Sequence, residues 1–176
     1  ALAAIAVGLE LGVNFETIDR ALRNFQGIDR RFQVTDKVII NNKVLTVIDD
    51  YGHHPTELSA VFETVRKHWK GRRICAVFQP HRYSRTKELF DDFVTVLSRT
   101  DTLVLLEVYS AGEAIVPSAD SKALAHAVSA RRQVAPILVE HLGQAREMIE
   151  EIVEDNDVLV FLGAGSISSL ARDFVS

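Results

Sequence analysis

The sequence predicts an α/β fold: a mostly parallel sheet with helices on both faces, preceded by a β-hairpin and two N-terminal helices. Three observations predict it. The runs "RICAVFQ", "TLVLLEV" and "DVLVFLG" are apolar without alternation, as strands covered on both faces are. Segments with apolar residues at helical spacing separate them. Ahead of them, two β-rich runs flank Asn41-Asn42, which reads as a hairpin turn.

The elements follow in order. Residues 1–25 read as two helices. The first is apolar nearly all round and is expected to be buried. The second opens at Asn14, a good N-cap, and sets Ile18, Leu22 and Phe25 on one face. "GIDRR", Gly27 to Arg31, is a charged, hinge-like segment. "RFQVTDKVII" and "KVLTVIDD" form the hairpin. A helix follows Pro55, with Leu58, Val61, Phe62, Val65 and Trp69 along one stripe. After the strand "RICAVFQ" comes a helix carrying Leu89, Phe90, Phe93 and Leu97, with Ser84 as its candidate N-cap. The strand "TLVLLEV", the loop "YSAGEAIVPSADS", a short helix from Ser121, the strand "APILVE", a helix over Leu142 to Glu154, the strand "DVLVFLG" and a terminal helix complete the chain. Two helices alone cannot bury their apolar faces, so residues 1–26 are expected to be the tail of another domain, with the α/β domain over 27–176.

Composition excludes several classes. The 176 residues are 47% hydrophobic and 25% charged, ordinary for a globular protein. The net charge is −4 and the basic residues form no long patch, so no nucleic-acid surface is expected. No apolar run approaches membrane length, so no membrane insertion is expected. The apolar start lacks the basic region and cleavage site of a signal peptide, and it lacks an initiating Met, so the chain is expected to derive from something longer. The single cysteine, Cys75, sits inside "ICAVF" and reads as a buried thiol. It fits a reducing, cytoplasmic setting.

Chemistry concentrates where strands end. Open α/β sheets bind ligands outside the carboxyl ends of their strands. Those junctions are "DDYGHHPT", "QPHRYSRT", "EVYSAGE" and "LGAGSIS". His53 and His54 precede Pro55, which suits a first helical turn, so they flank a helix N-terminus that favours anions. His81, Arg82 and Arg85 stand at the mouth of the next helix, where an arginine fork can grip a carboxylate or phosphate. The first two junctions are expected side by side, as one anion-binding rim. Plainer readings exist: Asp49 or Asp50 could only close the strand, Tyr51 could be a rim aromatic, and the arginines could be solvated surface. Adjacent His53 and His54 are poorly placed to share one metal ion, so no metal site is expected. His68, His126 and His141 carry no constellation. "LGAGSIS" is not a dinucleotide fingerprint, because no second strand with an acidic residue follows; its glycines allow close backbone approach. No phosphate-loop motif occurs.

Taken together, "DDYGHHPTE" and "FQPHRYSRT", with "GIDRRFQ", "EVYSAGE" and "LGAGSI", resemble the C-terminal domain of the Mur ligases, and of their alanine-adding branch in particular. The resemblance runs along essentially the whole chain. It implies a Rossmann-like domain that closes over ATP and delivers the amino acid. It also implies a cytoplasmic, three-domain enzyme of peptidoglycan synthesis that joins L-alanine to UDP-N-acetylmuramate through an acyl phosphate, with ATP and magnesium held mostly by a central domain that this chain lacks. Residues 1–26 would end that central domain. By the resemblance, Asp50 lies near the nucleotide sugar and Tyr51 near the base. His53, His81, Arg82 and Arg85 surround the incoming alanine and the transferred phosphate. Tyr51 and His81 wall the methyl pocket, and Ser166 and Glu113 stand on neighbouring loops. Holding one wall of an active site, the chain alone is not expected to ligate. A related ligase that attaches a recycled peptide to UDP-N-acetylmuramate, and a noncatalytic α/β module binding an anionic ligand or a protein, are the alternatives.

Overall fold

A computed structural model describes residues 1–25 and 27–175; the expected domain boundary at Gln26 lies outside the described residues. The helices are α1 (Leu2–Glu10), α2 (Phe15–Arg23), α3 (Pro55–His68), α4 (Tyr83–Glu88), α5 (Phe90–Leu97), α6 (Ser121–Ala130), α7 (Leu142–Ile152) and α8 (Ile167–Val175). The strands are β1 (Gln33–Ile40), β2 (Lys43–Asp50), β3 (Ile74–Phe78), β4 (Thr102–Leu106), β5 (Ile137–Val139) and β6 (Val158–Leu162). They form one sheet in the order β1-β2-β6-β3-β4-β5, parallel except for β1.

The hairpin turns at Asn41 and Asn42, both in the left-handed region at φ 48° and 63°, which asparagine tolerates. The edge strand β1 carries an irregularity between Thr35 and Val38, with Lys37 at φ 60°, and such a kink discourages pairing with another chain.

Alternating side chains of the central strands feed two cores, one per face. Ile48, Ala76, Phe78 and Val160 pack with Leu58, Phe62, Phe93 and Leu124 of α3, α5 and α6. Val47, Cys75, Val77 and Phe161 pack with Ile149 and Leu170 of α7 and α8. Cys75 is fully buried, and burial pushes its thiol up to about 12. At the opposite end of the sheet from the strand-to-helix junctions, buried Asp157 grips Arg73 through two hydrogen bonds of 3.0 and 2.8 Å.

Several expectations are corrected. None of the α1 residues is buried: the helix rests on α2, where Gly8 meets Ile18, and one short neighbour cannot cover an all-round apolar surface. The helix expected through Leu89 is two helices, α4 and α5, broken at Leu89 (φ −110°, ψ 25°). Trp69 lies beyond the end of α3, although it packs on the same core. Arg82, not Ser84, precedes the first turn of α4. The first two junctions are not side by side in the sheet, because β6 runs between β2 and β3. His141, which carries no constellation, caps α7 by accepting the Gln144 N–H at 3.1 Å.

Candidate active site

The turn after β2 is built by carboxylates on backbone amides. Asp50 is buried. Its Oδ1 accepts the Gly52 N–H at 2.7 Å and its Oδ2 accepts the Phe32 N–H at 2.8 Å. One side chain thus closes the turn and pins the "GIDRRF" segment to the strand end. Tyr51 N–H donates to the Arg30 carbonyl at 2.6 Å. Glu57 reaches back from the first turn of α3, and its Oε2 accepts the N–H groups of His53 and His54 at 2.9 and 3.1 Å. His54 caps α3 through Nδ1, which accepts the Thr56 N–H at 3.3 Å.

His53 is left to face outward. Its Nδ1 lies 3.1 Å from the Tyr51 carbonyl, which can only accept, so the neutral ring carries its proton on Nδ1 and presents a lone pair at Nε2. Glu57 is held below the ordinary carboxylate range: burial pushes it up, but the two backbone N–H bonds, His53 and Arg31 outweigh that.

The turn after β3 is laced to the loop after β4. Arg82 N–H donates to the Tyr109 carbonyl and Tyr109 N–H to the Pro80 carbonyl, both at 2.8 Å. The His81 ring stacks on Tyr109, with centroids 5.2 Å apart, and lies 6.1 Å from His53, whose ring meets Tyr51 edge-on at 5.4 Å. Tyr51, His53, His81 and Tyr109 therefore form one row across the carboxyl edge of the sheet. Arg85 Nη1 donates to the His81 carbonyl at 3.1 Å and faces its Nδ1 at 3.4 Å. An arginine has no acceptor, so Nδ1 holds the lone pair and the neutral His81 ring carries its proton on Nε2. Burial, then Arg85, His53 and Arg82, hold His81 below its ordinary value, which keeps it neutral near pH 7.

Arg82 adopts φ 72°, a strained conformation for a residue with a side chain. Its guanidinium stands 3.8 Å from Glu113. Glu113 in turn accepts the Ser84 N–H at 2.9 Å and the Ser84 hydroxyl at 2.6 Å, which ties the two loops together.

The β6 loop threads between these turns, and this is how separated strands bring His53 and His81 together. Gly163, at φ +146°, has no room for a Cβ, which would lie 2.8 Å from the Gln79 carbonyl; at Gly165 a Cβ would lie 2.5 Å from Gln79 Oε1. Gln79 Oε1 accepts the Ile167 N–H at 3.2 Å. Arg30 donates to the Gly163 carbonyl at 2.7 Å. The expectation of close backbone approach at these glycines is borne out against the neighbouring turn. Ser166, exposed, lines a cleft of about 610 Å³ with Gln79, Tyr109, Ser110 and His141.

The arrangement offers a neutral imidazole acceptor at His53, an imidazole donor at His81 and guanidinium groups at Arg82 and Arg85. That set suits an anionic reactant with a proton to give up. No group of three His, Cys, Asp or Glu side chains converges for a metal among the described residues, so the residues present do not fit a magnesium ion. Sequence reasoning missed Arg30 and Arg31, whose guanidinium carbons lie 4.7 and 5.2 Å from the Tyr51 ring centroid. It also missed the clamping role of Gln79 and the positioning role of Glu57. The Glu three residues after a helix cap was the available signal for Glu57.

Comparison with known proteins gives a consistent picture. A family model described as Mur ligase, glutamate ligase domain, matches residues 30–165. The UDP-N-acetylmuramate–L-alanine ligase of Methylococcus capsulatus is 49% identical over 172 residues, covering 98% of this chain and 36% of that protein. That of Halorhodospira halophila is 52% identical over 170 residues, covering 97% and 35%. The crystal structure of the UDP-N-acetylmuramate–alanine ligase of Thermotoga maritima superposes with a TM-score of 0.74 at 29% identity, over 97% of this chain and 35% of that one. A murein peptide ligase from Psychrobacter arcticus shares the fold, with a TM-score of 0.63 at 18% identity over 97% and 34%. The chain spans about a third of the length of the curated relatives it matches.

Proposed function

The chain belongs to the Mur ligase family, and from that premise we propose that it is the C-terminal domain of a cytoplasmic UDP-N-acetylmuramate–L-alanine ligase, with residues 1–26 ending the central domain and 27–176 forming the closing domain. In the proposed reaction the muramoyl carboxylate takes the γ-phosphoryl group of ATP to give an acyl phosphate and ADP. The alanine amine attacks the acyl carbon, forming the C–N bond and a tetrahedral oxyanion. Collapse breaks the C–O bond to phosphate, and the amine gives up a proton. Magnesium would act from other parts of the enzyme.

The single observation that carries this reading is the pairing of His53 and His81 at 6.1 Å, with Arg85 behind His81. His53 Nε2 takes the proton released by the amine. His81 Nε2–H and Arg82 face the oxyanion and the phosphate, where fixed donors stabilise charge that develops in the transition state. The free nitrogens of Arg85 hold the alanine carboxylate, and Tyr51, His81 and Ser166 border the substrate. Tyr51, with Arg31 beside its ring, fits a purine and its phosphates. Asp50 keeps acceptor capacity beyond its two backbone bonds for a ribose hydroxyl.

The test is phosphate release by the full-length protein from UDP-N-acetylmuramate, ATP and magnesium. It should depend on L-alanine and not on a peptide in its place. The isolated chain should release none. Peptide-dependent release would transfer the protein to the recycling ligases, and release by neither would leave a binding module.

A further inference from the structure

On the α7 and α8 side of the sheet, a cleft of about 250 Å³ opens between the hairpin and the end of α8. That lies just below the roughly 300–1,000 Å³ of sites for drug-sized molecules, so an occupant is metabolite-sized. Its floor is Asp49, 9% exposed, whose Oδ1 is buried with no hydrogen-bond partner among the described residues. Arg30 Nε is buried beside the cleft, also without a partner, while the end of the same guanidinium holds the Gly163 carbonyl. Arg172 lines the rim, and Val47, Ala171 and Val175 form an apolar wall. Neither guanidinium closes into an ion pair with Asp49, although both act on it electrostatically; burial, with Asp50 beside it, holds that carboxyl above its ordinary range against the opposing pull of the two arginines.

Buried polar groups are nearly always bonded, so an open acceptor and an open donor beside one cleft need an account. A lone anion would meet the Asp49 charge. A lone cation would meet two arginines. A molecule bearing both charges suits a lining of two carboxylates, Asp29 and Asp49, and two guanidiniums, Arg30 and Arg172.

We propose that this cleft binds a small zwitterion, an α-amino acid with a short apolar side chain. Its ammonium sits on the Asp49 carboxylate, its carboxylate on Arg172 with the buried Arg30 guanidinium behind it, and its side chain against Val47, Ala171 and Val175. This goes beyond the proposed ligation, whose alanine is assigned to His81 and Arg85.

Titrating the ¹⁵N-labelled chain with glycine, alanine and valine tests it, with acetate and methylammonium as half-ligands. Saturable shifts of the Val47, Asp49 and Arg172 amides are expected with the amino acids. Each half-ligand should bind at least about tenfold more weakly. Asp49→Asn should weaken binding at least about tenfold, and Arg172→Gln, on the surface and safe for folding, should do likewise. The amides of His81 and Arg85 report the other site, so the two readings fail separately. No saturable shift up to tens of millimolar, shifts confined to His81 and Arg85, a response to acetate equal to that of glycine, or undiminished binding by Arg172→Gln would each overturn the proposal.

Discussion

Arg85 braces His81: one guanidinium nitrogen donates to the His81 carbonyl at 3.1 Å and the same nitrogen faces ring Nδ1 at 3.4 Å. The arginine thereby fixes the ring's tautomer while its remaining donors stay available. Arg85→Lys keeps the charge and loses the fork. Losing one charged hydrogen bond costs about 1.5–3 kcal/mol, so kcat/KM for alanine in the full-length protein should fall roughly 10- to 100-fold. The KM for ATP should change little. Steady-state kinetics with each substrate varied in turn decide the matter; unchanged alanine kinetics would reduce Arg85 to a helix support.

The lowered His81 pKa makes stability depend on pH. Folded His81 titrates below 6.5 and unfolded histidine near it, so between the two values the unfolded chain binds more protons. Stability contributed by this group is full above 6.5 and is lost as pH falls through the folded value. His81→Phe preserves a ring against Tyr109 and removes the titration. Urea melts across that interval should show a shallower pH dependence in the variant than in the parent.

Gly163→Ala would force a side chain into φ +146° and against the Gln79 carbonyl. The combined strain and overlap should cost about 1–3 kcal/mol or more. Thermal denaturation should report a lower Tm, and the His53 and His81 resonances should shift with the displaced loop.

Burial separates the two carboxylates on Arg73. The Asp157 side chain is 2% exposed and Glu154 is 68% exposed. Asp157→Ala leaves a guanidinium without its principal partner and should cost about 3–5 kcal/mol. Glu154→Ala should cost no more than about 1 kcal/mol. Denaturant unfolding of both variants checks the contrast.

The amides of α1 and α2 should exchange hydrogen much faster than those of β3 and β6. No residue of α1 is buried and only Ile18 of α2 is, and opening costs little where apolar contacts are few. Protection of α1 equal to that of the strands, without self-association, would contradict this.

The sequence was most legible where one residue dictates local geometry. Asn14 caps α2, Asn41 and Asn42 turn the hairpin, and Pro55 starts α3, all from short-range chemistry. The motifs behind the family resemblance hold Tyr51, His53 and His81, three of the four rings in the row, because they fix consecutive positions; Tyr109 was not among the expected site residues. What escaped was set by distant partners. The break at Leu89 has no breaker residue, and the apolar spacing runs straight through it. Ser84 has the composition of a cap, but Glu113, 29 residues away, engages it instead. The insertion of β6 between β2 and β3 is a matter of topology, and strand composition is the same for any order. Arg30 and Arg31 read as a charged hinge because nothing local reveals that both close on Tyr51.

That insertion has a consequence for how the chain comes into being. β6 is made after the five other strands, yet it is the bridge between the β1–β2 hairpin and the β3-β4-β5 half. During synthesis both halves must wait, each with an unpaired inner edge, until Val158–Leu162 emerges to join them. Closure over so long a separation is slow, and open strand edges invite wrong partners. A chain truncated before Val158 should therefore present two protease-sensitive, chaperone-binding halves, and a chain extended through β6 and α8 should form one protected sheet.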